Sequence, residues 1–463
     1  MKAQPQASRR LSLRLIYGVS DAKRILRRPS PLDPGEMPPS LREKIKDVFG
    51  RALTVTEVVN YILQEVQAKG DEALLKLTER IDGVKLVALE VSKGELEEAS
   101  QRVDESLLDA LRTAADRIRL FHRRASEKGM KSFRGDGLGQ LVRPLDRVGI
   151  YVPGGTALYP STVLMAAIPA RVAGVREVVL ATPPQRDGTI HPLVLAAAQL
   201  AKVDRIFKIG GAQAIVALAL GTASVPRVDK ICGPGNIFVQ EAKRRVYGAV
   251  DIDAFQGPSE AVIIADDEAD PVLCAADLLA QAEHDPLSAS ILITTSSTLA
   301  DEVQREAEKQ LRDIERQEIA QEALERNGAV VVVSSLEEAI DLANSYAPEH
   351  LCLMVRDPEQ YLSRISNAGA IFLGESSSHV MGDYIAGPSH VLPTGGTARF
   401  SSPLSVHDFL KVTSLVALTE EETKALAPKV ATIARAEKLI AHARAVELRL
   451  SSSQEASDRK RQG

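Results

Sequence analysis

Glu349 and His350 are neighbours in the stretch Asn344-Ser345-Tyr346-Ala347-Pro348-Glu349-His350-Leu351. An acid and a base side by side are the minimum equipment for moving protons. A helical pattern from Leu336 to Tyr346 runs into Pro348, which cannot continue it. The apolar run Leu351-Cys352-Leu353-Met354-Val355 follows at once and reads as a buried strand. The pair therefore sits on a tight helix-to-strand corner, where an apolar flank shifts pKa values. A solvated loop carboxylate beside a half-buried histidine is the commoner origin of such a pair when it stands alone.

The other candidates are scattered. The chain has eight histidines. Gln281 and His284 close a helical pattern from Pro271 to His284 and, three residues apart, share one helix face. That geometry lets two side chains grip one metal ion, although a charged helix end looks the same. Asp383 is the one carboxylate of the glycine-framed stretch Met381–His390, where it could complete a ligand set or make an Asx turn. His442 stands on the last helical stretch among alanines, which permit close packing of another element. A surface histidine is the default there. Cys352 lies two residues past His350 but inside an apolar run, the usual place of a core thiol rather than of a nucleophile.

These residues need elements to hold them. From Val148 the chain repeats strand, glycine turn and helix, with strands at Arg205–Ile209 and Lys230–Cys232 and glycines at Gly154-Gly155, Gly210-Gly211 and Gly233-Pro234-Gly235. That is the pattern of a parallel sheet. It restarts at Ala261–Ala265 and continues through Ser290–Thr294, Ala329–Val333, Leu351–Val355 and Ala370–Leu373. The fold class expected is α/β, with two Rossmann-like parallel-sheet domains, an N-terminal helical segment and a C-terminal helical extension. No GxGxxG fingerprint with a following acid is present. The glycine turns offer backbone N–H groups to a pyrophosphate, and ordinary turns would look identical.

Composition removes several function classes. A chain of 463 residues with 44% hydrophobic content can bury large cores. Its net charge of -5 provides no basic field for nucleic acid or an anionic membrane, and 4% aromatics with no Trp provide few stacking platforms. Three widely spaced cysteines form no disulfide framework and point to a reducing, cytoplasmic setting. No apolar run is long enough to span a bilayer.

Taken in order, the motifs resemble those of the histidinol dehydrogenase family from about Thr54 to Leu450. They are Tyr151-Val152-Pro153-Gly154-Gly155, Gly210-Gly211-Ala212-Gln213-Ala214-Ile215, Gly233-Pro234-Gly235-Asn236 and Gly257-Pro258-Ser259-Glu260. Gln281-Ala282-Glu283-His284, Tyr346-Ala347-Pro348-Glu349-His350-Leu351, Gly382-Asp383-Tyr384 and the run His390–Thr397 complete them. No single motif is specific; their joint order is.

The resemblance implies oxidation of L-histidinol to L-histidine through the aldehyde, with two NAD+ and one Zn2+ per site in a homodimer. It implies Gln281, His284, Asp383 and His442 as zinc ligands, with His442 supplied across the dimer. His350 would be the general base and Glu349 the residue that activates water. Ser259, His390 and Glu437 would hold the substrate, together with the zinc ligands and His350. Tyr151, Gln213 and Asn236 would contact NAD. Where the family usually has alanine before Gly-Pro-Ser-Glu, this chain has Gln256, close to the presumed substrate serine. The rival readings are a related dehydrogenase of another amino or sulfonated alcohol, a zinc hydrolase without NAD, and a non-catalytic interaction protein.

The expected partition is an N-terminal arm (1–53), a helical part of the first α/β domain (54–147) and a second, NAD-side Rossmann-like domain (148–256). The first domain then continues with the zinc and catalytic residues (257–400), followed by a dimerisation extension (401–450) and a disordered tail (451–463).

Overall fold

The computed structural model describes residues 13–28, 37–154 and 158–461, apart from the side chains of residues 100 and 451–461. Gly155 of the first glycine turn, the prolines Pro29, Pro31 and Pro34, and the last two residues lie outside the described residues.

The short apolar runs pair in parallel, as runs buried on both faces do. One five-stranded sheet has the order Arg205–Lys208, Glu177–Thr182, Arg147–Tyr151, Lys230–Cys232, Asp251–Ile252. The chain builds outward from Arg147–Tyr151 in one direction, then returns to its other side. The strand order therefore reverses between Arg147–Tyr151 and Lys230–Cys232, a crevice where doubly wound sheets receive ligands. Alternate strand residues divide the cores. Val148 and Ile150 pack under the helices Pro160–Ala173 and Pro192–Leu200. Tyr151, Val179 and Phe207 pack under Gly211–Leu220 and Ile237–Val246.

The six-stranded sheet has the order Arg14–Tyr17, Ala329–Val332, Ala289–Thr294, Glu260–Ala265, His350–Met354, Ala370–Leu373. Two parts of the expected partition differ from this arrangement. The N-terminal stretch, read as an arm because it is basic and rich in proline, contributes the edge strand Arg14–Tyr17; its hydrophobic Ile16 joins the core that an arm would leave open. The helices of 54–147 do not join the sheet that carries Glu349. Val55–Lys69, opened by a Thr54/Glu57 capping box, buries Val58, Val59, Ile62 and Val66 on the five-stranded sheet's outer helices.

A compact second unit comprises 128–144 and the chain from Leu410 onward. It holds the antiparallel sheet Leu410–Val416, Leu138–Pro144, Phe133–Gly135 and the helices Glu420–Ala436 and Ile440–Arg461. The C-terminal helical extension is two helices, broken where Lys438 takes a left-handed φ of 63°. The second of them runs through Arg461, into the stretch read as a disordered tail for its polarity. Among the described residues no helix is long and apolar enough to cross a membrane.

One connection matters most for function. The strand Asp251–Ile252 ends at the carboxyl edge of the five-stranded sheet, and Glu260–Ala265 begins the second strand of the other. Only residues 253–259 lie between. Hence the carboxyl edge of one sheet and the amino edge of the other are held close together.

Candidate active site

The corner carrying Glu349 is built as its sequence dictates. Ser335 caps the helix Leu336–Tyr346 by accepting the Glu338 N–H. The helix ends at Ala347, which is fully buried with φ 52° and ψ 66°, a left-handed conformation unusual for a residue with a Cβ. Pro348 follows, and the strand begins at His350, one residue before the start expected. Glu349 and His350 are 6% and 3% exposed, so neither is a solvated loop residue.

Both face the neighbouring strand at Glu260. The Glu260 N–H donates to Glu349 Oε2 at 2.8 Å, and His350 Nδ1 lies 3.1 Å from the Glu260 carbonyl oxygen. A carbonyl only accepts, so Nδ1 carries the hydrogen, leaving the buried Nε2 toward Asp383. Nε2 lies 3.3 Å from Asp383 Oδ1, close enough to pair as ions although off the line of a good hydrogen bond. Burial pushes the Glu349 carboxyl up to about 7 despite the neighbouring imidazole. For His350 burial acts downward, but Glu349 and Asp383 outweigh it and raise the imidazole to about 9. Asp383 is held down at about 2: burial opposes its charge, and the close contact and charge of the His350 imidazole more than compensate.

Glu260 itself is buried, and burial raises its pKa. Arg28 meets it with two parallel bonds, Nε to Oε1 at 2.9 Å and Nη2 to Oε2 at 2.6 Å. The same guanidinium stacks 3.7 Å over the Tyr346 ring.

Gln281 is 1% exposed, and neither its amide oxygen nor its nitrogen has a partner among the described residues. A buried amide left wholly unsatisfied is costly, unless something else completes it. His284 keeps solvent contact at the helix end, yet burial of its ring lowers its pKa, and it feels the charges of Asp383, His350, His379 and His390. One described unit thus brings together Gln281, His284 and Asp383, an oxygen and nitrogen set with one anionic member. His442 and Glu437 lie exposed in the second unit, Glu437 as the cap of its helix and His442 just past the break.

His390 is oriented by both ring nitrogens, Nδ1 to the Asp383 carbonyl at 2.7 Å and Nε2 to Thr162 Oγ1 at 3.0 Å. Ser259 is half-buried in the stretch that enters the strand Glu260–Ala265, where its carbonyl accepts the Ala289 N–H. Behind His350 lies a buried trio, Asp277, Cys352 and His379. Ser378 Oγ donates to Asp277 Oδ1 at 2.7 Å, His379 Nδ1 is 3.8 Å from Oδ2, and the His379 ring centroid is 5.2 Å from that of His350. Burial drives the Cys352 thiol well up, so this is a core thiol that supports the His350 ring.

Five contributing residues had escaped the sequence reading: Arg28, Thr162, Glu260 in its supporting role, Asp277 and His379. Asp277 had a findable signal, since it precedes Gln281 by four residues on the same helix face. Arg28 had none.

The cofactor candidates line the carboxyl edge of the five-stranded sheet. Tyr151 ends its strand, buried, and its hydroxyl accepts the Gly211 N–H at 3.0 Å; burial raises the phenol to about 12. Gln213 is buried in the first turn of Gly211–Leu220, and its Nε2 has no partner among the described residues. Asn236 caps Ile237–Val246, its Oδ1 accepting the N–H groups of Phe238 and Val239, and is exposed. Tyr151 and Asn236 therefore flank the crevice where the strand order reverses.

Comparison with known proteins gives the family. The family model described as histidinol dehydrogenase matches residues 50–450. A histidinol dehydrogenase of Dehalococcoides mccartyi (strain CBDB1) is 54% identical over 394 residues, covering 85% of this chain and 90% of the relative. One of Moorella thermoacetica is 55% identical over 395 residues, covering 84% and 93%. The crystal structure of histidinol dehydrogenase from Elizabethkingia anophelis superposes with a TM-score of 0.87 at 35% identity, covering 96% of this chain and 99% of that one.

Proposed function

Because the chain belongs to the histidinol dehydrogenase family, we propose that it oxidises L-histidinol to L-histidine by way of the aldehyde, consuming two NAD+, as an enzyme of histidine biosynthesis. The observation that carries this reading is the buried line Glu349, His350, Asp383, with two proton carriers beside one further carboxylate.

Gln281, His284 and Asp383 would hold Zn2+, and the orphaned amide of Gln281 supports a ligand there. His442 would complete the set from a second subunit of a homodimer. A bound zinc ion supplies Lewis acidity toward the alcohol and aldehyde oxygens. NAD would lie along Tyr151, Gln213 and Asn236, and L-histidinol against Ser259, His390 and Glu437, together with His350 and the zinc ligands.

His350 takes the hydroxyl proton as hydride leaves carbon. Asp383 pairs with the His350 imidazole at 3.3 Å and favours its protonated form, and a metal ion held by Asp383 would weaken that preference. Glu349 takes the proton of the water that adds to the aldehyde, giving a hydrate from which the second hydride departs. The Glu260 N–H fixes the Glu349 carboxylate, so acid and imidazole act from defined positions. The test is stoichiometry: two NADH per L-histidinol, lost on chelation and restored by Zn2+. One NADH or none would sink the assignment.

A further inference from the structure

The turn Gly233-Pro234-Gly235-Asn236 follows the strand Lys230–Cys232 and opens the helix Ile237–Val246. Its inward polar groups are taken by side chains. Lys243, fully buried, donates from Nζ to the Gly233 carbonyl at 2.5 Å and to Asp253 Oδ1 at 2.6 Å. Asp253 returns the contact: its Oδ2 accepts the Gly233 N–H at 2.7 Å. Both backbone groups of Gly233 are therefore held by one ion pair whose side chains are 0% and 3% exposed.

Two glutamines extend the hold. Gln240 Nε2 donates to the Gly235 carbonyl at 3.2 Å, and Gln240 Oε1 accepts the Gln256 N–H at 3.0 Å. Gln256 Nε2 donates to Asp253 Oδ2 at 3.1 Å, while its Oε1 lies 3.4 Å from both Lys243 Nζ and Gln240 Nε2. The next residue, Gly257, donates its N–H to Thr394 Oγ1 at 2.5 Å, in the segment that follows His390. Gln256 thus turns toward the glycine turn and not into the neighbourhood of Ser259.

The glycines explain the need for such a hold. A Cβ on Gly233 would lie 1.9 Å from the Tyr151 carbonyl oxygen, and Gly233 has φ 119°. The turn thus rides directly on the end of the Tyr151 strand, in a shape few residues adopt. For stability alone, a buried ion pair is no better than well-packed apolar side chains of the same volume. What polar groups add is a fixed geometry.

We infer that the buried Lys243–Asp253 pair, extended by Gln240 and Gln256, is a positioning clamp for the cofactor. It holds the outward face of the turn in the shape that receives the pyrophosphate and ribose of NAD. Through residues 253–257 it ties that turn to the stretch that enters the substrate strand. The inference rests on the reading that NAD binds at this turn.

The experiment uses the full-length, zinc-loaded enzyme. NADH affinity is measured by fluorescence titration and L-histidinol affinity by calorimetry, for wild type, Lys243→Met and Gln256→Ala, with circular dichroism to confirm folding. We expect the NADH dissociation constant to rise about tenfold in Lys243→Met and about threefold in Gln256→Ala, with L-histidinol affinity within about twofold of wild type. Unchanged NADH affinity in both folded variants overturns the clamp, as does an equal loss of both ligands. If Lys243→Met does not fold, Gln256→Ala decides, because its side chain is only half-buried. A wild type that binds no NADH overturns the cofactor reading itself, an outcome distinct from variants that bind as well as wild type.

Discussion

Glu349 and Glu260, buried carboxylate residues on the helix-to-strand corner and the adjoining strand, meet through a backbone bond: the Glu260 N–H donates to Glu349 Oε2 at 2.8 Å. The Glu260 side chain turns the other way, into the fork of Arg28. Two acids are thereby buried near each other with separate partners, one neutralised by a cation and one left to titrate.

Glu349→Gln keeps an oxygen for the Glu260 N–H and removes the proton acceptor. Oxidation of L-histidinol to the aldehyde should survive, and oxidation of supplied aldehyde should slow by about 10²–10³-fold. In the wild type the aldehyde step should quicken as pH rises through about 7, because Glu349 acts when deprotonated. Equal loss in both half-reactions, followed by stopped-flow NADH absorbance, would contradict the division of labour.

Gln281→Leu should abolish tight metal binding while preserving the fold, since the native amide bonds to no described group. Metal content after gel filtration, read by atomic emission, checks this. A variant retaining one zinc per subunit would remove Gln281 from the ligand set.

Arg28→Met leaves Glu260 buried without its cation. Stability should fall by about 3 kcal/mol, measured by urea unfolding at neutral pH. A change below about 0.5 kcal/mol, the level of a surface ion pair, would show that Arg28 does not hold the N-terminal segment in place.

Asp82 has a buried Oδ2 with no described partner, and burial raises its carboxyl to about 6. A folded-state pKa above the unfolded one means that the native state favours the protonated form. Stability is therefore greatest below about 4 and declines as pH rises from there through about 6. Asp82→Asn removes this penalty, so it should gain about 3 kcal/mol over wild type at pH 8 and almost nothing at pH 4. Urea midpoints at the two pH values measure the gap, and a constant difference would refute the assignment.

Much of the site was legible because its signals are local. Pro348 beside an apolar run placed Glu349 and His350 on a corner; the helix expected to run to His284 instead ends at Ala282, capped by Glu283, so Gln281 is in its last turn and His284 lies just past it. What was not legible is whatever long-range packing decides. No residue near Arg28 hints that it crosses to Glu260, 232 positions away. The helix break at Lys438 carries no glycine or proline, so its sequence reads as continuous. The helices after Thr54 show an apolar stripe but not which sheet receives it. Gln256, a large polar residue three positions before Ser259, is absorbed by Gln240, Lys243 and Asp253.

Ala347 limits how this chain can drift over time. Its left-handed backbone favours glycine, asparagine or aspartate, but its full burial leaves no room for the last two. Alanine accepts the strain of roughly 1–2 kcal/mol, and a β-branched residue would accept far more. Small residues without a branched Cβ are the ones compatible with the corner that carries Glu349 and His350. A random substitution one position before Pro348 is therefore expected to be purged for the angle of the backbone, by a rule that never consults the chemistry it protects.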